Sequence, residues 1–444
     1  MEKHKSTKRK QHMDIAWHDI KKSSDDIPAV KATLEEKSSL VGRVGLMMLS
    51  CGTGAWRVRD AMNILSRAMG ITVVADIGLM DIEYTCMQGS EIHTRVLALP
   101  TTGVNTDKLT SMERFITYFD ETSLEFSIDQ HHKILDHIAE KKGRYNPVAV
   151  GLASGLACCG FTFLLGGGPV EMVCAFLGAG FGNFFRRLLI DRKITLLANL
   201  ILSVTAACMI YMLSLLGIRN IIDTNEGMQA GYICSMLFVI PGFPLITGGI
   251  DLAKLDMKSG LERIAYAVLV IATATLAGWV CAVILNIKPG EMNTLEIDHG
   301  LLILFRLIAG FAGVYGFSLM FNSPRRVAAL AGLVGMTANT LRLELATYYG
   351  IEASIAAFIG AVTAGLLATV AKKFTGFPRI CLTVPSIVIM VPGLYLYRGM
   401  FSLGSGAIGE GAVWMCRALF IIAALPLGLI VARILTDRNF RKVN

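Results

Sequence analysis

The chain has 444 residues, of which 53% are apolar and 17% are charged, and its formal net charge is +8. This composition is too apolar for a soluble globular protein and indicates a protein that requires a lipid bilayer. The basic residues lie mainly in the N-terminal tail and in short segments beside apolar runs, a pattern typical of membrane orientation rather than of nucleic-acid binding. We therefore expect a membrane protein with no nucleic-acid partner.

Residues 1–30 are polar and basic, and no apolar signal-peptide region follows them, so we predict a disordered tail. The next segment, 31–146, carries ordinary densities of charged residues. It contains helical patterns near 32–51, 54–70, 108–122 and 129–141, and strand-like runs that begin at Ile71, Ile82 and Thr94. This alternation predicts a small α+β domain, which we place in the cytoplasm.

Three histidines, His131, His132 and His137, lie close together on the last of these predicted helices. The neighbouring sequence supplies no convincing set of further metal ligands, so we interpret the histidines as a solvated helix face. The sequence also contains no glycine-rich phosphate loop and no nucleophile motif. We therefore predict no metal, no cofactor and no catalytic residues.

Long apolar runs follow residue 146. A helix needs about 20 apolar residues to cross a hydrocarbon core that is about 30 Å thick. That rule predicts ten spans, near 147–168, 169–185, 194–217, 228–249, 263–286, 300–321, 325–342, 351–371, 380–397 and 412–435.

The charges of the connecting segments orient these spans. Alternate connections hold most of the basic residues, among them Arg187, Lys258, Arg326 and Lys373. Because cytoplasmic loops carry the Lys and Arg excess, we expect both termini to lie in the cytoplasm and the number of spans to be even. We place the protein in the inner membrane.

Two apolar segments resemble each other: SMLFVIPGFPLITGG, from Ser235, and SIVIMVPGLYLYRGM, from Ser386. We predict a polytopic α-helical membrane protein with about ten transmembrane helices in two inverted five-helix repeats, 147–290 and 291–444. The alternative is convergent composition, since proline, glycine and serine are common in membrane helices.

Prolines in these segments should interrupt the fourth and ninth spans, because proline removes a helical N–H group and clashes with the preceding turn. Paired broken helices in two inverted halves point to a central substrate site, and the alternative is a pair of structural kinks. The candidate residues are Pro241, Gly242, Pro244, Pro385, Pro392 and Gly393.

Asn183 and Arg186, at the predicted end of the second span, correspond to Asn339 and Arg342 at the end of the seventh. Each pair is spaced to share one helix face, where an amide and a guanidinium could bind a carboxylate. The alternative is an arginine that extends to the membrane interface and an asparagine that joins helices. Arg306 has similar alternatives, interface contact or an exit vestibule that attracts anions.

The segment GTGAWRVRDAMNILSRAMGITV, from Gly52, together with Thr94, Arg95 and Val96, resembles the N-terminal domain of the threonine/serine exporter family. The resemblance extends through both Pro-Gly segments, so it covers nearly the whole chain and matches the fused form of the family. It implies export of threonine and serine, driven by an ion gradient of protons or sodium. Similar proteins are associated with dicarboxylates such as succinate.

We therefore expect a secondary exporter of a small polar metabolite, either threonine and serine or a dicarboxylate. A membrane-anchored hydrolase that uses the soluble domain, and a passive channel or scaffold, are the competing hypotheses. The sequence leaves open whether the protein forms a homo-oligomer.

Overall fold

The computed structural model describes residues 15, 17–20, 27–221, 229–287, 297–438 and 440–441. The chain forms two compact units. The N-terminal unit comprises Met1–Lys142 and Lys254–Glu262, and the C-terminal unit comprises Gly143–Ala253 and Arg263–Asn444. The predicted boundary between membrane halves, at 290 and 291, and most of the predicted tail lie outside the described residues.

The N-terminal unit contains a three-stranded antiparallel sheet and five helices. A capping box starts the first helix, since Thr33 and Glu36 satisfy each other's backbone N–H groups. The elements are α1 (Leu34–Ser50), α2 (Ala55–Ala68), β1 (Thr72–Ile77), β2 (Asp81–Gln88), β3 (Glu91–Ala98), α3 (Thr106–Thr117), α4 (Phe119–Thr122) and α5 (Ile128–Ala139).

One face of this sheet is buried because β1 and β2 alternate apolar and polar residues. Ile82 and Tyr84 on β2 are almost fully buried, and the Tyr84 hydroxyl donates a hydrogen bond to the carbonyl of Ser38 on α1 at 2.9 Å. The strands are in register with Thr85 opposite both Val74 and Thr94. The sheet and α1 therefore share one core.

The expectation of a solvated histidine face is wrong for two of the three residues. His131 and His132 are buried, while His137 is exposed. His132 packs against α1, where its Nε2 atom lies 3.1 Å from the Ser39 hydroxyl and its Nδ1 atom lies 3.2 Å from Arg43. Burial, with a smaller contribution from Arg43, lowers the pKa of His132 to about 3, so its ring is neutral at neutral pH.

Part of the segment predicted to be a tail forms a 3-10 turn, Trp17–Ile20. The imidazole of His18 bridges Asp129 and Asp136 of α5, at 2.6 and 2.7 Å. The hydrogen bond to Asp129 is the main reason that the pKa of His18 is raised. This turn is therefore attached to α5 through charged groups.

The C-terminal unit is helical. Two 12-residue helices, α10 and α16, each follow a shorter helix after a sharp bend. The elements are α6 (Pro147–Leu164), α7 (Pro169–Asp191), α8 (Leu196–Arg219), α9 (Gln229–Ser235), α10 (Gly242–Ala253), α11 (Met257–Ile284), α12 (His299–Met320), α13 (Arg325–Thr347), α14 (Ala353–Thr375), α15 (Arg379–Val388), α16 (Gly393–Gly404) and α17 (Ile408–Thr436).

Within the described ranges, seven helices are long and apolar enough to cross a membrane, and the number is nine when each bent pair counts as one span. The remaining predicted span lies on α13, which has 23 residues but carries Asn339, Arg342 and Glu344 on its C-terminal half. The chain is therefore a multi-pass helical membrane protein.

The first helices of the two predicted halves, α6 and α12, pack with their backbones in contact. A Cβ atom at Gly160 would lie 2.6 Å from the carbonyl oxygen of Ala309, and a Cβ atom at Gly316 would lie 2.4 Å from that of Ala153. Because the later residue on one helix faces the earlier residue on the other, the helices run antiparallel. Small residues at such a contact are typical of membrane helix pairs.

We predict that Gly316→Val destabilises the protein by about 1–3 kcal/mol, because the new side chain meets backbone that cannot move aside. Thermal unfolding of the full chain in detergent measures this effect. Gly217→Val on α8 is the matched control, since a Cβ atom there meets no atom within 4 Å. Equal melting temperatures for the two variants would contradict the close contact of α6 and α12.

Candidate functional site

Both bent pairs change direction at a Pro-Gly dipeptide. The axis bends by 64° between α9 with its following 3-10 turn and α10, and by 44° between α15 and α16. The second helix of each pair begins at the glycine of that dipeptide, Gly242 or Gly393, directly after Pro241 or Pro392. The predicted interruptions at these two dipeptides therefore coincide with the observed bends.

Two other prolines do not interrupt a helix, contrary to expectation. Pro244 lies in the first turn of α10, where its missing N–H group would have had no helical partner. Pro385 lies inside α15. The adjacent Ser386 hydroxyl donates to the carbonyls of Leu382 at 2.6 Å and of Ala331 on α13 at 2.9 Å, so this part of α15 is hydrogen-bonded to α13.

The two bends contact each other reciprocally. A Cβ atom at Gly242 would lie 3.0 Å from the Val388 side chain, and a Cβ atom at Gly393 would lie 2.6 Å from the Leu237 side chain. Leu237 and Val388 precede their own glycines by the same number of residues. Each glycine therefore contacts, in the other bent pair, the residue that occupies the same position relative to the Pro-Gly dipeptide.

A buried apolar cluster is also built from residues that occupy corresponding positions after the two Pro-Gly dipeptides. Leu245 on α10 and Leu396 on α16 follow their glycines by the same number of residues, as do Ala267 on α11 and Ala418 on α17. Ile271 belongs to the cluster, and its matching residue, Ile422, packs against it. The helices that follow the two bends thus share one core built from corresponding positions.

A cavity of about 410 Å³ lies beside the second bend. Its volume is that of a small-metabolite site. Its charged lining residues are Arg306 and Arg342, and Asn339, Thr347 and Tyr395 supply further polar groups. The remaining lining residues are Phe161, Phe163, Leu164, Leu165, Gly166, Leu237, Leu302, Leu343, Ala346, Ala353, Ile389, Val391, Pro392, Gly393, Leu394 and Ile421.

Asn339 and Arg342 present polar groups without adequate partners to this cavity. Asn339 is fully buried, and neither its amide nitrogen nor its amide oxygen has a hydrogen-bond partner among the described residues. The buried Arg342 Nε atom also lacks one, while Nη1 donates a long bond of 3.5 Å to the Met390 carbonyl at the bend. An unsatisfied buried polar group costs about 1–3 kcal/mol, so this pair is suited to a polar ligand.

The second arginine of the cavity is already paired. Arg306 Nη1 lies 2.5 Å from the Glu344 carboxylate and 3.1 Å from the Thr347 hydroxyl. The Arg306 and Glu344 side chains are 13% and 14% exposed, so each compensates the other's desolvation. Arg306 therefore pairs within the protein while it lines the cavity.

The corresponding residues of the first half do not line this cavity. Asn183 is buried, and its amide nitrogen has no hydrogen-bond partner in the described part of the chain. Arg186 is partly buried, and its backbone carbonyl accepts a bond from Asn199 at 3.2 Å. Since α7 continues to Asp191, both residues lie inside the helix, not at its end as expected.

Sequence reasoning missed a buried ion pair between α10 and α11. Asp251 is 0% exposed and Arg263 is 2% exposed, and their closest charged atoms lie 3.2 Å apart. Asp251 lies just beyond the predicted fourth span, 228–249, where a carboxylate is unremarkable in the sequence. The signal that could have identified the pair is an aspartate that directly follows the apolar run of α10, with an arginine on the next helix.

Two family models match most of the chain. The model described as "Putative threonine/serine exporter" matches residues 39–286, and the model described as "Threonine/Serine exporter, ThrE" matches residues 306–435.

Curated relatives are distant in sequence. A "Probable threonine/serine exporter" from Mycobacterium tuberculosis is 24% identical over 89% of this chain and 75% of its own length. A "Probable succinate transporter subunit YjjP" from Escherichia coli is 28% identical over 54% of this chain and 90% of its own length. "Pheromone-regulated membrane protein 10" from Debaryomyces hansenii is 22% identical over 81% of this chain, which spans only 36% of that protein. No solved structure matches the chain.

We predict that Asn339→Leu stabilises the protein by about 1–3 kcal/mol, because a near-isosteric apolar group replaces an amide that lacks hydrogen bonds. Thermal unfolding in detergent measures the change. Ser386→Ala is the matched control: it removes a buried polar group that is hydrogen-bonded, and it should lower the melting temperature. A fall of equal size in Asn339→Leu would show that the amide is satisfied.

Proposed function

Because the chain belongs to the threonine/serine exporter family, we propose that it is a secondary transporter that exports threonine and serine across the inner membrane. The observation that carries this proposal is the cavity beside the second bend, where Asn339 and Arg342 present unsatisfied polar groups. Helical interruptions at membrane depth are tolerated where they line a cavity, and transporters place their substrates there.

We propose that Arg342 and Asn339 bind the substrate carboxylate. The guanidinium and the amide lie one helical turn apart on α13, so both can donate to the same carboxylate. The carbonyl of Met390 lies beside the guanidinium and is a suitable acceptor for a substrate ammonium group. The apolar residues of the lining would contact a short side chain such as that of threonine.

Charge also favours an amino acid over a dicarboxylate. Among the residues that line the cavity, Arg306 is neutralised by Glu344, and Arg342 has no acidic partner in the described chain. One available cation matches one carboxylate. A dicarboxylate, suggested by the name of the Escherichia coli relative, is the second candidate, and it would require Arg306 to leave Glu344.

The matched contacts of the two bends support alternating access between two inverted five-helix halves. Reciprocal contact between corresponding residues is the pattern of a two-fold axis. The antiparallel packing of α6 and α12 agrees with an inverted second half. In such transporters one half moves against the other around a site between them.

We further propose cytoplasmic termini and an ion gradient of protons or sodium as the driving force. The orientation is supported by the basic residues of alternate connections, including Arg187, Lys258, Arg326 and Lys373.

Efflux from vesicles tests the substrate assignment. Purified protein in liposomes loaded with labelled threonine, serine or succinate should release threonine and serine faster than succinate, and an inward-directed gradient of the coupling ion should accelerate release by exchange. Applying proton and sodium gradients separately identifies the coupling ion. Release of succinate alone would replace the proposal with its second candidate, and no protein-dependent release of any of the three would contradict export.

We predict that Arg342→Gln lowers export about 10- to 100-fold, because a charge-assisted hydrogen bond to the carboxylate is lost. Initial efflux rates at equal protein density measure the change. Arg326→Gln is the matched control, since this exposed arginine lies on the same helix but outside the cavity lining. Equal export by both variants would remove Arg342 from the substrate site.

A further inference from the structure

The connection between α10 and α11, together with the first turns of α11, belongs to the N-terminal unit, although it lies far from the rest of that unit in the sequence. Residues Lys254–Glu262 cluster with Met1–Lys142. The segment directly follows Ala253, the last residue of α10, and directly precedes Arg263 of α11. Its position is therefore tied to the helix that follows the first bend.

Four polar contacts hold this segment within the N-terminal unit. Arg59 Nη1 on α2 donates to Asp256 Oδ1 at 2.5 Å. Lys258 Nζ contacts Asp76 Oδ2 at 2.9 Å and Asp81 Oδ2 at 3.3 Å, on either side of the turn between β1 and β2. Asp256 and Lys258 of the segment thus each face residues of opposite charge, which favours this alignment of the segment over a shifted one.

The fourth contact depends on the shape of the β1–β2 turn. The backbone N–H group of Leu79 donates to Glu262 Oε2 at 2.6 Å. A Cβ atom at the preceding residue, Gly78, would lie 2.8 Å from Glu262 Oε2 and 2.4 Å from Asp81 Oδ1. The missing side chain at Gly78 therefore leaves the space into which the Glu262 carboxylate fits.

These contacts are polar and partly exposed, so they can be released. The side chains of Lys258, Asp76 and Asp81 are 41%, 57% and 39% exposed, and ion pairs of that exposure are weak and screened by salt. The large apolar residues of the segment, Leu255, Met257 and Leu261, are 80%, 51% and 56% exposed and contribute little burial. The segment is therefore held by several weak polar contacts.

The two ends of the segment are tied together at its base. Asp251 and Arg263, which flank it in the sequence, form the buried ion pair described above. Separating the two partners would leave buried charges without compensation, so this pair keeps the two flanks of the segment together. A displacement of the segment is therefore transmitted to both α10 and α11.

We propose that the β1–β2 turn, together with Arg59, is a docking surface for residues 254–262, and that docking controls the movement of α10. The second part of this inference rests on the proposed transport function; the first part does not. The N-terminal unit thereby acts as a regulatory element that restrains the helix after the first bend.

Hydrogen exchange of the full chain in lipid nanodiscs tests the docking. Lys258→Glu should make the amides of residues 254–262 exchange about fivefold faster, because two attractive contacts become repulsive. Adding Asp76→Lys and Asp81→Lys to that variant should restore the protection. Lys373→Glu, at an exposed lysine near the end of α14, is the matched control and should leave exchange of 254–262 unchanged.

A variant without a charge change separates docking from general electrostatics. Gly78→Ala should also accelerate exchange of residues 254–262, since its methyl group occupies the position needed by Glu262. Unchanged exchange in both Lys258→Glu and Gly78→Ala would overturn the docking surface. The docking surface would also be overturned if the variant with all three charges reversed remained folded but did not regain protection of residues 254–262.

Efflux from liposomes tests the control of α10. Variants that release the segment should change the initial export rate at least about twofold. The variant with all three charges reversed should export at the wild-type rate. Faster hydrogen exchange of residues 254–262 with an unchanged export rate would overturn the regulatory part of the inference. If wild-type protein exports no substrate, the transport function fails, while the exchange measurements still decide the docking.

Discussion

The interior of a bilayer offers no hydrogen-bond partners, and this constraint governs the C-terminal unit. A chain that interrupts two helices at membrane depth must satisfy or enclose the freed backbone groups. The two Pro-Gly bends meet this requirement by packing against each other, with Gly242 on Val388 and Gly393 on Leu237. Neither bend could be enclosed in this way without the other, because each packs against the bent pair that contains the other.

The same constraint separates the polar side chains into two groups. Arg306 with Glu344, and Asp251 with Arg263, are buried as pairs, and each partner compensates the charge of the other. Asn339 has no comparable compensation within the described chain. A protein selected for stability alone would replace such an amide with an apolar residue. This uncompensated amide lines the cavity in which we propose that the substrate binds.

Local chemistry determined what could be predicted from the sequence. The bends were predictable because Pro241 and Pro392 act on their own helices, and the strands were predictable because burial alternates along β1 and β2. The cavity could not be predicted from the sequence, because contacts such as that of Arg306 with Glu344 form only when α12 and α13 pack. Pro385 and His132 were predicted wrongly, because tertiary packing sets their environments: α15 continues through Pro385 and is hydrogen-bonded to α13 at Ser386, and His132 is buried against α1.

Differences in packing indicate which helices can move. The backbones of α6 and α12 touch at glycines, and any sliding there would drive side chains into backbone. Helices α10 and α16 are short, are each preceded by a bend, and share an apolar core of corresponding residues, Leu245 and Leu396 among them. Apolar contacts are non-directional, so such a core tolerates rotation about the bends better than a glycine contact does. Movement is therefore expected at the bent pairs, and the weak polar contacts of residues 254–262 lie at the end of one of them.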